Sequence, residues 1–339
     1  MFEFIGIGDT HLDKLDKILP GIGNKLIANE VRKPLNYALK HGISTTIFYG
    51  DICERARMSY DAHIWLGDVI LDDKYKDLTM YIILGNHDFD EHGRHSLEIL
   101  DFVVRKTGRN NIKIITKSSE VGIEKVPVHF MPYPDTETSN KHLNIGHFEV
   151  NGAMRDNGRV IKDGAHHAKH LSCVGHLHTP HTVGRVHFSG TLYQTNFGES
   201  LPKSFHHVRV MPDLRHKILD IPNDPAFKLF NLKVFSRKDL KQISKEKLHL
   251  YKLFVQDGVK LEPEDLSKHE NVIRINRFKD EKDLKAQLED EWKITEEVSS
   301  VFQPEEDVKH FLQSKKIKHK LQERVLRLHK SAIKKFSAG

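Results

Sequence analysis

Short apolar segments rich in β-branched and aromatic residues alternate with longer amphipathic segments through the first half of the chain. The short segments predict strands, and the amphipathic ones predict helices that pack on a sheet. Helices are predicted over 24–42, 59–75 and 92–108. Strands are predicted over 2–8, 44–50, 79–85, 111–116, 127–133, 142–148 and 171–178. This alternation is typical of an α/β fold with its helices outside a sheet core.

The pattern changes after about residue 200. Residues 202–227 are strand-like but interrupted by prolines, and 227–300 combine two strand-like segments, 229–235 and 271–278, with helical segments of mixed charge. A last helical segment begins at Gln303-Pro304, since the residue before a proline is a frequent helix boundary. We therefore predict three parts, 1–215, 225–302 and 303–339.

Composition and charge indicate whether the chain is a membrane, secreted or cytoplasmic protein. No apolar run approaches the roughly 20 residues that a membrane helix needs, and the N-terminus, with Glu3 and no basic residue, does not predict a signal peptide. Two cysteines, Cys53 and Cys173, make no disulfide framework and favour a cytoplasmic protein. The formal charge of +6 favours a polyanionic partner only weakly.

Polar residues of the kinds that bind metals follow each of five predicted strands, and most come directly after a glycine. The carboxyl ends of strands in an α/β sheet lie along one edge, where ligands bind. Residues distant in sequence are therefore expected to converge there. They are Asp9 and His11, Asp51, Asn86, His87 and Asp88, His147, and His176 and His178.

Carboxylate, amide and imidazole donors without cysteine favour Mn²⁺, Fe²⁺ or Zn²⁺ over a structural zinc–thiolate site. Seven ligands exceed one tetrahedral ion and suit two ions that share a bridging carboxylate. With 24 histidines in the chain, a single one means little, and the argument rests on the repeated strand-end pattern. The glycines of GIGDTH precede an aspartate rather than a helix, and no P-loop motif is present.

In this order, the strand-end motifs resemble those of the calcineurin-like metallophosphoesterase superfamily. They are GDTH at 8–11, GD at 50–51, GNHD at 85–88, GH at 146–147 and GHLH at 175–178. Three further stretches resemble the SbcD-type exonucleases, the nuclease subunits of recombination and double-strand-break repair complexes, in particular their short phage versions. These stretches are MPYP at 131–134, HFEV at 147–150 and FSGTLYQTNFGES at 188–200.

The resemblance covers about residues 1–210 and implies a four-layer β-sandwich flanked by helices, with a small α+β cap domain and C-terminal helices. It implies two Mn²⁺ ions, with Mg²⁺, Fe²⁺ or Zn²⁺ as substitutes. One ion would be held by Asp9, His11 and His178 and the other by Asn86, His147 and His176, with Asp51 bridging them. His87 would be the general acid for the leaving oxygen, and Asp88 would orient it.

The sequence indicates the DNA-binding residues less clearly than it indicates the metal ligands. Glu54 occupies a position where the family has a DNA-facing residue, and Arg55 and Arg57 would supply the phosphate contact instead. The cap would position DNA, with its basic residues either contacting phosphates or forming an ordinary solvated surface. These residues are Lys233, Arg237, Lys238, Lys241, Arg274, Arg277 and Lys279.

The tail is an amphipathic basic segment. The resemblance favours an SMC-like coiled-coil ATPase as its partner; DNA contact and ordinary packing are the alternatives. The apolar positions expected to bind the partner are Phe311, Leu312, Ile317, Leu321, Val325 and Leu328.

The resemblance implies a nuclease that degrades double-stranded ends 3′ to 5′ and cuts single strands. It also implies a homodimer formed through helices within 58–77 and 92–107, and a role in recombination and repair. Two alternatives remain: a nucleotide phosphodiesterase or phosphatase with the same metal site, and an inactive scaffold in an ATPase assembly. Activity on a small phosphoester but not on DNA would indicate the first, and lost ligands would indicate the second.

Overall fold

The computed structural model describes residues 1–16, 18–156, 158–162, 169–199 and 202–289. The helices, in chain order, are α1 Gly23–Lys40, α2 Tyr60–Ile70, α3 Glu98–Thr107 and α4 Pro263–Leu266. The strands are β1 Phe2–Ile7, β2 Thr45–Phe48, β3 Thr79–Ile83, β4 Ile112–Ile115, β5 Ser119–Ile123, β6 Val126–Met131, β7 Leu143–His147, β8 Ser172–Gly175, β9 His181–Val183, β10 Val186–Phe188, β11 Lys203–Val210, β12 His216–Asn223, β13 Lys228–Val234, β14 His249–Gln256 and β15 Val272–Phe278. Residues 281–289 are also helical.

Two six-stranded mixed sheets form the main body. The first has the order β12-β11-β1-β2-β3-β4, in which β1 to β4 are parallel, β11 is antiparallel to β1, and β12 is antiparallel to β11. The second has the order β5-β6-β7-β8-β10-β9, in which only the two edge strands, β5 and β9, are antiparallel. A separate sheet, β13-β14-β15, is parallel throughout; we call it the cap sheet.

The two large sheets pack face to face over one apolar cluster, to which the first contributes Phe4 and Ile47 and the second Val128 and Ile145. The opposite face of the first sheet is covered by α1, α2 and α3 through residues such as Leu35. The predicted α/β fold, with two sheets flanked by helices, is confirmed. No helix in the described part of the chain is long and apolar enough to cross a membrane.

The helix boundaries differ from the prediction where aspartates form turns. The helix predicted over 59–75 ends at Ile70, and the side chain of Asp72 then caps a separate 3₁₀ turn. The helix predicted over 92–108 begins only at Glu98. The Asp90 carboxylate accepts hydrogen bonds from the main-chain N–H groups of residues 92 and 94, which holds that segment in a turn.

The sequence predicted two strands after residue 227, but the cap sheet has three. The unpredicted strand, β14, lies in the middle of the sheet. It is apolar on both faces, with Leu253 and Val255 in one cluster and Phe254 in another. A strand buried on both faces loses the polar–apolar alternation that identifies half-buried strands.

Two buried polar side chains fix the path from the first sheet to the cap sheet. The Glu30 carboxylate, fully buried on α1, accepts hydrogen bonds from Asn223 Nδ2 and from the main-chain N–H of Ala226, both at 2.9 Å. Gln194 pairs with the main chain of Leu229 in both directions: its Oε1 accepts from the N–H at 3.0 Å and its Nε2 donates to the carbonyl at 3.1 Å. The cap sheet is thereby anchored to the loop that contains Gln194.

Candidate metal centre

Five strands deliver polar side chains to one edge, where the carboxyl ends of the two large sheets meet. Strands β1, β2 and β3 belong to the first sheet, and β7 and β8 belong to the second. The structure brings together all the predicted ligands and the predicted general acid. They are Asp9, His11, Asp51, Asn86, His87, His147, His176 and His178.

One group consists of Asp9, His11 and His178. Their ligand atoms face one another: His11 Nε2 lies 3.1 Å from His178 Nε2. The Asp9 Oδ2 atom is 3.9 Å from His11 Nε2 and 3.7 Å from His178 Nε2. These spacings leave all three donors within reach of one small cation.

A second group consists of Asn86, His147 and His176. The amide oxygen of Asn86 lies 2.9 Å from His147 Nε2 and 3.0 Å from His176 Nδ1. The two imidazole nitrogens are 3.3 Å apart. Two imidazoles and one amide oxygen therefore converge, as the sequence predicted for a second ion.

The Asp51 carboxylate lies between the two groups. Its Oδ2 atom is 3.2 Å from His147 Nε2 in one group and 3.9 Å from His11 Nε2 in the other. Its Oδ1 atom accepts a hydrogen bond of 2.9 Å from the main-chain N–H of His87. Asp51 thus has the position of a carboxylate shared by two ions.

Each of the four histidines in these groups turns its second ring nitrogen towards an acceptor. For two of them the contact is a hydrogen bond: His147 Nδ1 donates to the Tyr49 carbonyl at 2.8 Å, and His178 Nδ1 to Glu199 Oε1 at 2.9 Å. A carbonyl or carboxylate oxygen can only accept, so these outer nitrogens carry the protons. The Nε2 atoms facing the centre therefore carry lone pairs in the neutral rings.

The other two histidines also place their outer nitrogen near a carboxylate, although for His176 the outer atom is Nε2 and Nδ1 faces the centre. His11 Nδ1 lies 3.3 Å from Glu54 Oε2, and His176 Nε2 lies 3.3 Å from Glu149 Oε1. Burial opposes the charge on both glutamates, but the adjacent histidines and basic side chains outweigh it and lower the pKa of each to about 2. Carboxylates placed on the far side of metal-binding imidazoles fix the tautomer and make the ligand more basic.

The centre needs added positive charge, because lone pairs and carboxylate oxygens face one another within it. Burial disfavours charge on His147, yet the carboxylates of Asp51 and Asp9 raise its pKa to about 9. Burial likewise opposes the charge on Asp51, but His147 and His87 hold its pKa well below the usual range. Divalent cations would satisfy both demands, so the residues present fit two such ions.

The backbone is strained or tightly packed where it presents these side chains. His11, Asp51 and His176 have positive φ angles of 43°, 47° and 82°, in a region that non-glycine residues rarely occupy outside functional sites. At Gly85 and Gly175 a Cβ atom would lie 2.1 Å from Asp51 Oδ1 and 2.4 Å from Asp9 Oδ1 respectively. Only glycine leaves room for the carboxylates at these two positions.

The orientation of His87 differs from the prediction. Its Nδ1 atom donates to the main-chain carbonyl of Glu54 at 3.0 Å, and its ring lies edge-on to that of His11, with 5.0 Å between centroids. The carboxylate of Asp88, which was predicted to orient His87, points elsewhere. The Glu54 carbonyl takes that role because the loop after β2 passes directly beside the imidazole.

Asp88 instead binds the main chain of two strand-end loops. Fully buried, its carboxylate accepts hydrogen bonds from the N–H groups of Gly85, Ile52 and Cys53 at 2.9, 3.2 and 3.1 Å. The Ser96 hydroxyl donates to it as well, at 2.9 Å. Asp88 therefore joins the loop that carries Asp51 to the loop that carries Asn86.

Glu54 also differs from its predicted DNA-facing position. Its side chain is only 14% exposed, and Oε1 accepts a hydrogen bond of 2.8 Å from Lys14 Nζ while Oε2 faces His11. Arg55 and Arg57, in the same loop, are exposed. The two arginines are therefore the residues of this predicted set that are accessible to a phosphate backbone.

The stretch 188–200 supports the centre through residues to which the sequence assigned no role. The Tyr193 hydroxyl donates to the main-chain carbonyl of Thr10 at 2.8 Å and lies 3.2 Å from that of His11, and Glu199 accepts from His178. Its family-like sequence was the available signal, but the individual contacts depend on how the loop folds back. The predicted partner-binding residues between Phe311 and Leu328 lie outside the described residues.

The chain is similar to a phage exonuclease subunit. It is 26% identical over 228 residues to exonuclease subunit 1 of Enterobacteria phage T4, which covers 60% of this chain. The chain spans 63% of the length of that relative. No family model matches the chain.

Proposed function

We propose that the chain is a metal-dependent DNA exonuclease and endonuclease that hydrolyses phosphodiester bonds with two divalent cations. Mn²⁺ is the proposed cofactor, with Mg²⁺, Fe²⁺ or Zn²⁺ as substitutes. The observation that carries the proposal is the position of Asp51 between two groups of lone-pair donors whose outer nitrogens are already occupied. The similarity to a protein named as an exonuclease subunit supports DNA as the substrate.

The proposed ligands divide into two sets that share Asp51. The ions would polarise the scissile phosphodiester and lower the pKa of a water molecule that attacks phosphorus. One set is Asp9, His11 and His178, and the other is Asn86, His147 and His176.

His87 is the proposed general acid. Its Nδ1 proton is bonded to the Glu54 carbonyl, which leaves Nε2 as the atom that donates a proton to the departing 3′ oxygen. The hydrogen bond from the His87 main-chain N–H to the Asp51 carboxylate and the bond from His87 Nδ1 to the Glu54 carbonyl fix the imidazole beside the ligand His11. Asp88 contributes by holding the loops together.

DNA would be held through its phosphates, by the exposed Arg55 and Arg57 and by basic residues of the cap region, such as Lys233 and Arg274. Of the three proposed parts, 1–215 would be the nuclease domain, 225–302 the DNA-capping domain and 303–339 the docking segment. The proposed activity is 3′ to 5′ on double-stranded ends, with cutting of single strands in addition.

A homodimer is proposed through α2 and α3. Both helices present large apolar side chains to solvent: Tyr60 and Ile64 on α2 are 91% and 66% exposed, and Ile99 and Phe102 on α3 are 57% and 55% exposed. The two residues of each pair are three or four positions apart and so share one face of their helix, and exposed apolar patches mark interaction surfaces.

An SMC-like coiled-coil ATPase is the proposed partner of the C-terminal segment, and the complex would process DNA ends in recombination and repair inside the cell. The basic amphipathic pattern of the tail supports this proposal. The name of the T4 relative, a subunit, is consistent with an assembly of more than one chain.

The experiment that tests the nuclease proposal uses the full chain, end-labelled duplex DNA, circular single-stranded DNA and a nucleotide p-nitrophenyl phosphodiester. Each is incubated with Mn²⁺ or with EDTA, and Asp51→Asn is the variant that removes the shared carboxylate. Calorimetric titration with Mn²⁺ records the number of bound ions in each protein.

Mn²⁺-dependent cutting of both DNA substrates, abolished by EDTA and by Asp51→Asn, is the expected result. Hydrolysis of the small phosphodiester alone would overturn the DNA assignment in favour of a nucleotide phosphodiesterase. A protein that binds two Mn²⁺ ions and cuts nothing, with or without an added ATPase partner, would be the scaffold alternative. Wild-type protein that binds no Mn²⁺ would overturn the metal centre itself.

A further inference from the structure

Glu199 and Lys203 form an ion pair that is completely buried beside the metal centre. Both side chains have 0% exposure, and Lys203 Nζ lies 2.6 Å from Glu199 Oε2. Removing two charges from water is costly, and their attraction offsets that cost only when the geometry is good. A buried ion pair of this kind adds little to the stability of the fold. The residues that it contacts therefore indicate its role.

The pair holds one proposed ligand at two points. Glu199 Oε1 accepts a hydrogen bond of 2.9 Å from His178 Nδ1. Lys203 Nζ donates one of 3.1 Å to the main-chain carbonyl of the same histidine. Ring and backbone of His178 are therefore both bonded to one ion pair, which fixes the direction of its Nε2 atom.

Glu199 itself is held by further donors. Its Oε2 atom accepts from the main-chain N–H of Thr195 at 3.1 Å, and its Oε1 atom accepts from Asn196 Nδ2 at 2.9 Å and from the Thr195 hydroxyl. A carboxylate bonded in this way cannot turn away from the imidazole without breaking several bonds.

One other carboxylate reaches the same nitrogen. Asp156 Oδ2 lies 3.2 Å from His178 Nδ1, and the Thr179 hydroxyl donates to Asp156 Oδ1 at 2.9 Å. The hydrogen bond to the other oxygen of Asp156 comes from this neutral hydroxyl, whereas Glu199 is bonded to an ammonium group. Substituting Asp156 therefore provides the comparison for the effect of Glu199 on His178.

We propose that the Glu199–Lys203 pair positions His178 and sets the affinity of the metal group that contains it. The proposal rests on the proposed function, since it assumes that His178 is a metal ligand. The carboxylate fixes the Nδ1–H tautomer and makes Nε2 a better donor, and the ammonium group holds that carboxylate in place. Outer partners of this kind typically change metal affinity by about 10–100-fold.

The test measures Mn²⁺ affinity by calorimetry and the visible spectrum of bound Co²⁺, which reports ligand geometry. The main variant is the double substitution Glu199→Gln with Lys203→Met, which leaves no unpaired charge in the interior. Glu199→Asp is the second variant, because it keeps the ion pair but withdraws the carboxylate by one methylene. Thermal unfolding in EDTA records whether each variant folds.

Glu30→Gln is the matched control, because Glu30 is also fully buried, paired with a lysine and bonded to main chain, but it contacts no proposed ligand. Asp156→Asn is the comparison for the second carboxylate at His178. Both are expected to fold, and Glu30→Gln is expected to bind Mn²⁺ within about twofold of wild type.

The expected result is a folded double variant whose affinity at one of two Mn²⁺ sites falls by about 10-fold or more, with an altered Co²⁺ spectrum. Asp156→Asn is expected to have a smaller effect. Wild-type affinity and spectrum in a folded double variant would overturn the proposal. If that variant does not fold, unchanged binding by Glu199→Asp would overturn it equally. Absence of metal binding by the wild type would instead count against the proposed function.

Discussion

The Nδ1 atom of His87 lies 3.0 Å from the main-chain carbonyl of Glu54. The bond orients the imidazole through the backbone of the loop after β2, not through a neighbouring carboxylate. The remaining ring nitrogen, Nε2, is the atom from which the proposed general acid would give a proton to the leaving oxygen.

The role of His87 predicts a dependence on the leaving group. His87→Ala should lower the single-turnover rate on DNA by about 10²–10⁴-fold, since a poor alkoxide leaving group needs a proton. On a p-nitrophenyl phosphodiester the loss should be much smaller, because nitrophenolate departs without one. Rate constants for both substrates, with Mn²⁺ affinity measured in parallel, check this. Equal losses on the two substrates would contradict general-acid catalysis.

Asp88 is predicted to stabilise the fold as well as the site. Asp88→Asn places an amide NH₂ among donors that now converge on a carboxylate, and we expect it to lower the free energy of unfolding by about 2–4 kcal/mol. Urea denaturation in EDTA measures this without metal. Asp77→Asn, at an exposed position, is the control and should change stability by less than about 0.5 kcal/mol. If the two variants were equally stable, the prediction that Asp88 stabilises the fold would be wrong.

Glu54 and its neighbouring arginines are predicted to affect different properties. Glu54→Gln should weaken Mn²⁺ binding by about 10-fold through His11 and leave the salt dependence of DNA binding unchanged. Arg55→Ala and Arg57→Ala should each reduce the slope of log affinity against log salt by about one. Calorimetry and DNA titrations in EDTA at several salt concentrations separate the two effects. Loss of the salt slope in Glu54→Gln would contradict this assignment.

The apolar faces of α2 and α3 predict a dimer that charge can dissociate. Ile64→Glu or Phe102→Glu should convert it to a monomer, since each would bury an unpaired carboxylate in the interface. Sedimentation equilibrium measures the association state. Met211→Glu, at a position outside both helices that is 36% exposed, should remain dimeric. A wild-type protein that is monomeric at all concentrations studied would rule out this interface.

Much of the site could be predicted from the sequence because its ligands follow strands. Asp51 lies three residues after the end of β2, and Asn86 lies three residues after the end of β3. The parallel geometry of the first sheet then places both at one edge, whatever the loops do. The hydrophobic pattern of each strand and the geometry of a parallel sheet were together enough to predict where those two residues lie.

The partners of the ligands could not be predicted in the same way. Glu149 and Glu199 lie in loops, where neither hydrophobic periodicity nor spacing indicates which side chain faces a given imidazole. Asp88 stands beside His87 in the sequence, but the 3₁₀ turn over Asn86–Asp88 sends the two side chains to different neighbours. Adjacency along the chain is therefore a poor guide to hydrogen-bond partners where the backbone turns.

The reciprocal bonds between Gln194 and Leu229 limit how the cap sheet can move. The same Gln194 side chain donates to the main-chain carbonyl of Glu199 at 2.7 Å, so β13 and the loop beside His178 share one buried amide. A cap sheet hinged freely at the linker could tilt without moving that loop. This one can tilt only by breaking those bonds or by pulling the loop along. The cap sheet and the loop that precedes Lys203 are therefore expected to move as one unit.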